Sequence, residues 1–267
     1  MQPLKARLVP YGIRAGQENM AVDEHLLVQH GHTGFPVLRL YGWSPSAITL
    51  GRYQAIECIN RDACRIDGVG LVRRITGGGA ILHDNELTYS VVWPADNPEM
   101  PESTAGSFKK INAFILETYR SLGLKPVYAR DAGRDIPPGR TDFCFSGNED
   151  FDILIEGKKI GGNAQRRVRG ALLQHGSIPL SVDTDRVKRY FRDPVDTGNF
   201  TSLGEASGRE IGIDELSRAV MDAFRNVMGV DYYAQEIEDS EEDIIRALAL
   251  NKYSSGQWTE NVMAGGV

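Results

Sequence analysis

Three cysteines in 267 residues are too few, and odd in number, for a disulfide framework, so Cys58, Cys64 and Cys144 point to a reducing compartment. Long hydrophobic runs are also missing. The stretch from Met1 to Glu24 lacks the apolar core of a signal peptide, and no later stretch reaches membrane-spanning length. A soluble cytoplasmic protein with no membrane partner is expected. Positive charge is not in excess: Lys and Arg number 30 against 36 Asp and Glu, a net charge of −6, which gives no general pull toward nucleic acid. Histidine is sparse. His83 and His175, the two beyond residue 32, have no carboxylate-rich motif beside them, so no metal site is expected. The chain carries neither the G-x-x-x-x-G-K-[ST] phosphate loop nor the G-x-G-x-x-G dinucleotide turn, which disfavours the ordinary nucleotide folds.

What is present is a mixture of strand and helix patterns without repeat, low-complexity tract or linker. Gln17 to Val28 predicts an early helix. Val37–Tyr41 and Ala47–Leu50 read as strands around the Gly42-Trp43-Ser44-Pro45 turn. Gly70–Arg74 and Leu87–Trp93 read as strands on either side of a glycine-rich loop. Phe108, Ile111, Ile115, Tyr119 and Leu122 recur at helical spacing, with Gly123 as the stop. Phe151–Ile155, a turn at 156–158 and Lys159–Ile160 form a strand pair, and Leu172–Leu180 another strand. From about residue 210 the chain becomes helical: Asp214 is positioned to cap one helix, and Ser240 with Asp243 to open a last one through Leu250. The expectation is one domain, 1–267, of α/β class and α+β type.

Three segments carry residues suited to chemistry. Arg73-Arg74-Ile75-Thr76-Gly77-Gly78-Gly79-Ala80 ends at His83-Asp84. Consecutive glycines let backbone N–H groups approach an anion or a carbonyl oxygen, and two arginines can neutralise a phosphate. The same residues also suit a flexible hairpin with solvated arginines. In Gly157-Lys158-Lys159-Ile160-Gly161-Gly162-Asn163-Ala164, Lys159 enters an apolar strand before small residues and can hold a carbonyl or phosphate oxygen, whereas Lys158 reads as a solvated turn lysine. Cys144 lies between Phe143 and Phe145: either a small buried hydrophobe or, given a lowered pKa, a nucleophile. Cys58 and Cys64 have no suggestive neighbours.

Taken together, these segments resemble the lipoate-protein ligase and octanoyltransferase family. Arg73 to Asp84 is similar to its RRxxGGGxxxHD signature, and Lys159, Gly162 and Ala164 to its K-x-x-G-x-A signature. Gln174-His175-Gly176-Ser177, Asn19–Glu24, Tyr41-Gly42-Trp43 and Lys252–Ser255 match further markers in the family's order. The resemblance implies the biotin/lipoate ligase catalytic-domain fold, a mixed, largely antiparallel sheet flanked by helices. It also implies an acyl- or nucleotide-binding pocket drawn from Arg73, Arg74, Gly77, Gly78, Gly79, Ala80, His83, Gly162, Ala164 and His175, with Lys159 on the acyl carbonyl. The implied acceptor is a lysine of a lipoyl domain, such as the glycine-cleavage H protein or a 2-oxoacid dehydrogenase subunit. Cys144, fifteen residues before Lys159, resembles the nucleophile of the cysteine-dependent octanoyltransferases, which take octanoate from acyl carrier protein without a cofactor. Gly79-Ala80 instead resembles the ligases, which use ATP and Mg to form an acyl-adenylate. Transfer is favoured, with ligation the alternative and a non-catalytic carrier-binding module the second alternative.

Overall fold

The computed structural model describes residues 3–30, 34–132 and 150–261. Its strands are β1 (Leu4–Arg14), β2 (Val37–Trp43), β3 (Ala47–Leu50), β4 (Gly70–Arg73), β5 (Ile81–His83), β6 (Glu86–Pro94) and β7 (Val127–Tyr128). They continue with β8 (Ile153–Ile155), β9 (Lys158–Ile160), β10 (Gly162–Val168), β11 (Ala171–Pro179), β12 (Phe200–Thr201) and β13 (Val230–Ala234). The helices are α1 (Gly16–His30), α2 (Arg61–Ile66), α3 (Thr104–Ser121), α4 (Thr184–Tyr190), α5 (Leu203–Ser207), α6 (Ile213–Met228), α7 (Asp239–Leu248) and α8 (Gly256–Glu260). A π-helical turn, Ala249–Tyr253, follows α7.

The largest sheet runs β10-β11-β6-β2-β1-β13. Its β10, β11, β6 and β2 pair antiparallel, while β1 pairs parallel with both β2 and β13. Every residue of β2, β6 and β11 is buried, so both faces of the sheet need cover. Alternation sorts the side chains. Leu38, Leu40, Leu87, Tyr89, Val91 and Leu172 pack against α3 and α6, where Phe114 stands edge-on to both Tyr89 and Phe224. Val37, Tyr41, Trp43, Val92 and Leu173 face α1 and the C-terminal residues Ile245 and Tyr253. A smaller sheet, β4-β3-β5, packs its apolar side on α2 and α4, and the third runs β12-β9-β8-β7. Among the described residues no helix is long and apolar enough to cross a membrane.

The structure adds strands that hydrophobic pattern misses. Pro10 and Gly12 disguise β1, but they fall where its register against β2 shifts, the place a strand tolerates them. The polar run of β10 is held as a strand by its pairing with β11. Helix starts differ too: Gly212 caps α6, leaving Asp214 in its first turn, and Glu238 with Glu241 forms the capping box of α7.

Candidate active site

Between the large sheet and the small one lies about 280 Å3 of empty space, part of it continuous with solvent. Period-two geometry explains its walls. Gly162 and Ala164 of β10 stand opposite Ser177 and His175 of β11, so all four share one face, with Tyr41, Trp43 and Thr88 beyond them. The opposite wall is Thr49 of β3 with Ile81 and His83 of β5, and Met20 of α1 and Arg74 complete it. Trp43 stacks on His83 with ring centroids 4.0 Å apart and donates its Nε1–H to Thr88 Oγ1 at 2.7 Å. The result is a narrow, largely apolar slot with a few fixed polar groups, a shape suited to an alkyl chain that ends in a carbonyl.

The two sequential arginines go opposite ways. Arg74 lines the slot and donates to the Gly77 and Gly79 carbonyls at 2.6 and 2.8 Å, drawing the glycine loop around itself. Gly78, at the exposed crest, has φ +91°, which favours glycine. Arg73 is fully buried but turned to the chain's far end, donating to the carbonyls of Gly51, Gln54, Trp258 and Thr259. Trp258 Nε1 answers by donating to Arg73 O at 2.8 Å. The anion-binding role expected of Arg73 therefore becomes a tethering one in this geometry, because its N–H groups are committed to backbone. Ala80 likewise packs into the core beneath β3 and β5, away from the slot.

His175 Nδ1 lies 3.0 Å from Asp23 Oδ2, and its Nε2 lies 2.7 Å from Thr76 Oγ1. Burial pushes the His175 pKa below its ordinary value despite the carboxylate, and because an ionised carboxylate only accepts, Nδ1–H donates to Asp23. Burial opposes ionisation of Asp23, but His175 and Arg39 outweigh it and hold the carboxyl below the usual range. Arg39, Tyr41 and Ser90 also donate to Asp23, at 2.7, 2.9 and 2.9 Å. Across the slot, His83 Nδ1 is 2.8 Å from Glu86 Oε1 and its Nε2 is 2.9 Å from Thr49 Oγ1. Glu86 also accepts from Thr88 and Ser177, and these contacts with His83 overcome burial to keep its pKa low.

Lys159 sits on a different sheet. The β8–β9 hairpin turns through Glu156 and Gly157, both with positive φ, and Leu154 pairs with Lys159. Lys159 is 3% exposed and donates to Asp152 Oδ2 at 2.7 Å. Lys158, on the outer side, forms an exposed ion pair with Glu205. Gly161, with φ +78°, carries the chain from β9 into β10, against the Ser177 carbonyl. Cys144 lies outside the described residues. Cys58 and Cys64 are buried, and burial pushes the Cys64 thiol up to about 11, which makes it a poor nucleophile.

Sequence reasoning did not name Asp23, Glu86, Thr49 and Thr76 as site residues. Asp23 lies inside the Asn19–Glu24 marker, and Glu86 is the one charged residue of a wholly buried strand, which are the available signals.

Residues 15–225 match the lipoyl protein ligase A/B catalytic domain. The chain belongs to that family. It is 33% identical to octanoyltransferase LipM of Bacillus subtilis, over 97% of this chain and 99% of that one. It is 35% identical to octanoyltransferase LipM of Anoxybacillus flavithermus, over 90% and 92%. Among solved structures it resembles a lipoate-protein ligase A bound with ATP, at 25% identity and TM-score 0.82, covering 97% of this chain and all of that one. A structure from an archaeal lipoylation system, a bi-partite lipoate protein ligase and its E2 lipoyl domain from Thermoplasma acidophilum, gives TM-score 0.79 at 25% identity over 99% of both chains. The fold is thus the mixed sheet-and-helix catalytic domain that the glycine and lysine signatures imply.

Proposed function

We propose that this protein transfers an octanoyl group from acyl carrier protein to a lysine of a lipoyl domain, through a thioester on Cys144. The observation that carries this reading is the near full-length match to octanoyltransferases, at 33% and 35% identity. The narrow apolar slot supports it as the seat of the acyl chain. The Cys144 thiolate attacks the carrier thioester. The new Cys–acyl bond forms as the carrier sulfur leaves, which takes the proton given up by Cys144. The acceptor amine then attacks the acyl carbon, the amide forms, and Cys144 leaves as thiolate while the amine's surplus proton returns to it. Lys159 supplies positive charge near the acyl carbonyl, and Gly78 N–H is a donor to the developing oxyanion. The remaining pocket residues orient the chain. A thioester route needs a reduced cysteine, which favours the cytoplasm. We treat 1–267 as one catalytic domain, since Arg7–Glu241, Glu24–Lys252 and Arg73–Trp258 tie the C-terminal helices to the N-terminal half.

Likeness to a ligase solved with ATP favours a second reading, ATP-dependent lipoyl ligation. Cys144→Ser separates them. Wild type mixed with octanoyl-carrier protein should gain one octanoyl mass, released by hydroxylamine, and pass it to an apo lipoyl domain. The serine variant should do neither. If that variant keeps wild-type rates with octanoate and Mg-ATP, and no thioester forms, ligation is the activity.

A further inference from the structure

Two hydrogen-bonded chains converge on Arg74 from opposite walls of the slot. One runs Asp23–His175–Thr76, through contacts of 3.0 and 2.7 Å. The other runs Glu86–His83–Thr49, through contacts of 2.8 and 2.9 Å. Arg74 reaches both threonine hydroxyls at 3.2 Å, Nε to Thr76 and Nη1 to Thr49, while Nη2 holds the Gly77 and Gly79 carbonyls. None of these seven residues is more than 7% exposed.

The donor and acceptor inventory gives the network a direction. An ionised carboxylate only accepts, so the ring nitrogen facing it carries the proton. In an imidazole that carries its one proton on Nδ1, Nε2 is bare and receives the threonine hydroxyl proton. Each threonine is left with lone pairs for Arg74, which only donates.

We propose that Asp23 and Glu86 are positioning residues for the glycine loop. Each orients a histidine, each histidine orients a threonine, and the two threonines hold Arg74 where it draws the loop carbonyls inward. Across a trans peptide the next N–H points opposite to the carbonyl, so this grip turns Gly78 N–H away from Arg74 toward the loop's exposed side. For catalysis the role rests on the transfer reading above, in which that N–H meets the acyl carbonyl.

The test begins with wild-type protein. Nitrogen-15 NMR at neutral pH, assigned with His83→Gln and His175→Gln, should show both rings protonated at Nδ1 and bare at Nε2. A proton on Nε2 of either ring overturns the arrangement. Glu86→Gln should release the His83 tautomer and speed amide hydrogen exchange across 76–80. It should also lower kcat about tenfold or more with little change in KM for the octanoyl donor. Thr76→Ser, which keeps the hydroxyl, should recover most of what Thr76→Val loses. Unchanged loop exchange in Glu86→Gln, or equal behaviour of the two Thr76 variants, would sink the proposal. If the wild type transfers no octanoyl group, the transfer reading fails, while tautomers and loop exchange still decide the network.

Discussion

Lys159 shows how burial changes the meaning of a mutation. Its ammonium sits on Asp152 at 2.7 Å, and the two side chains are 3% and 7% exposed. Removing one partner of such a pair leaves a buried charge behind, which typically costs about 3–5 kcal/mol. Lys159→Ala should therefore lose stability as well as transfer, and low activity alone would not prove a catalytic role. Combining Lys159→Met with Asp152→Asn removes both charges and should recover most of the melting temperature. Octanoyl transfer should stay roughly 100-fold down, as for loss of one electrostatic contact to the reacting carbonyl. A double variant with near-normal transfer would make Lys159 a structural residue only. Lys158→Ala, which breaks only an exposed pair, should change melting by little, since such pairs contribute about 0–1 kcal/mol.

At the scale of elements, the β9–β10 junction is a close joint beside the slot. Gly161 has φ +78°, and a Cβ there would lie 2.2 Å from the Ser177 carbonyl oxygen. An alanine would meet unfavourable backbone and a backbone clash together, so β10 would have to shift off β11. Gly161→Ala should lower stability by more than about 1–3 kcal/mol, the cost of the strained conformation alone. It should also depress transfer, because Gly162 and Ala164 form one wall. Gly77→Ala is the control: nothing lies within 4 Å of its added Cβ, and it should melt like wild type. Thermal melts of the two variants decide this, and equal melting would mean that the junction tolerates a side chain without strain. The local elements were legible wherever a single period dominated. Helix α3 ends at Ser121 with Leu122 as its cap, where apolar spacing and Gly123 place the stop, and the β8–β9 turn falls on Glu156 and Gly157. Strands β1 and β10 were not legible, because a Pro-Gly interruption and a polar run become strands only through their partners.

For the molecule as a whole, the slot is held from behind by the core on the sheet's other face. Phe224 of α6 packs on Phe114 of α3, which packs on Tyr89 of β6, each pair of rings 5.2 Å apart. Tyr89 OH in turn donates to Asn163 of β10 at 2.6 Å. Phe224→Ala should cost about 3–5 kcal/mol, read as a lower urea midpoint at unchanged slope. The folded fraction should keep its KM, since Phe224 does not line the slot; a raised KM would mean that the core shapes it directly. By itself the sequence determined the family signatures, the glycine turns and most periodic elements, because these depend on residues close along the chain. Only tertiary structure decided how Arg73 and Arg74 divide their tasks. Neighbours in an extended chain point to opposite faces, and strand pairing chooses which face meets the slot. The same holds for Asp23 and Glu86, far apart in sequence. A buried carboxylate needs partners, and those partners are brought to it only when β2, β5, β6 and β11 come together.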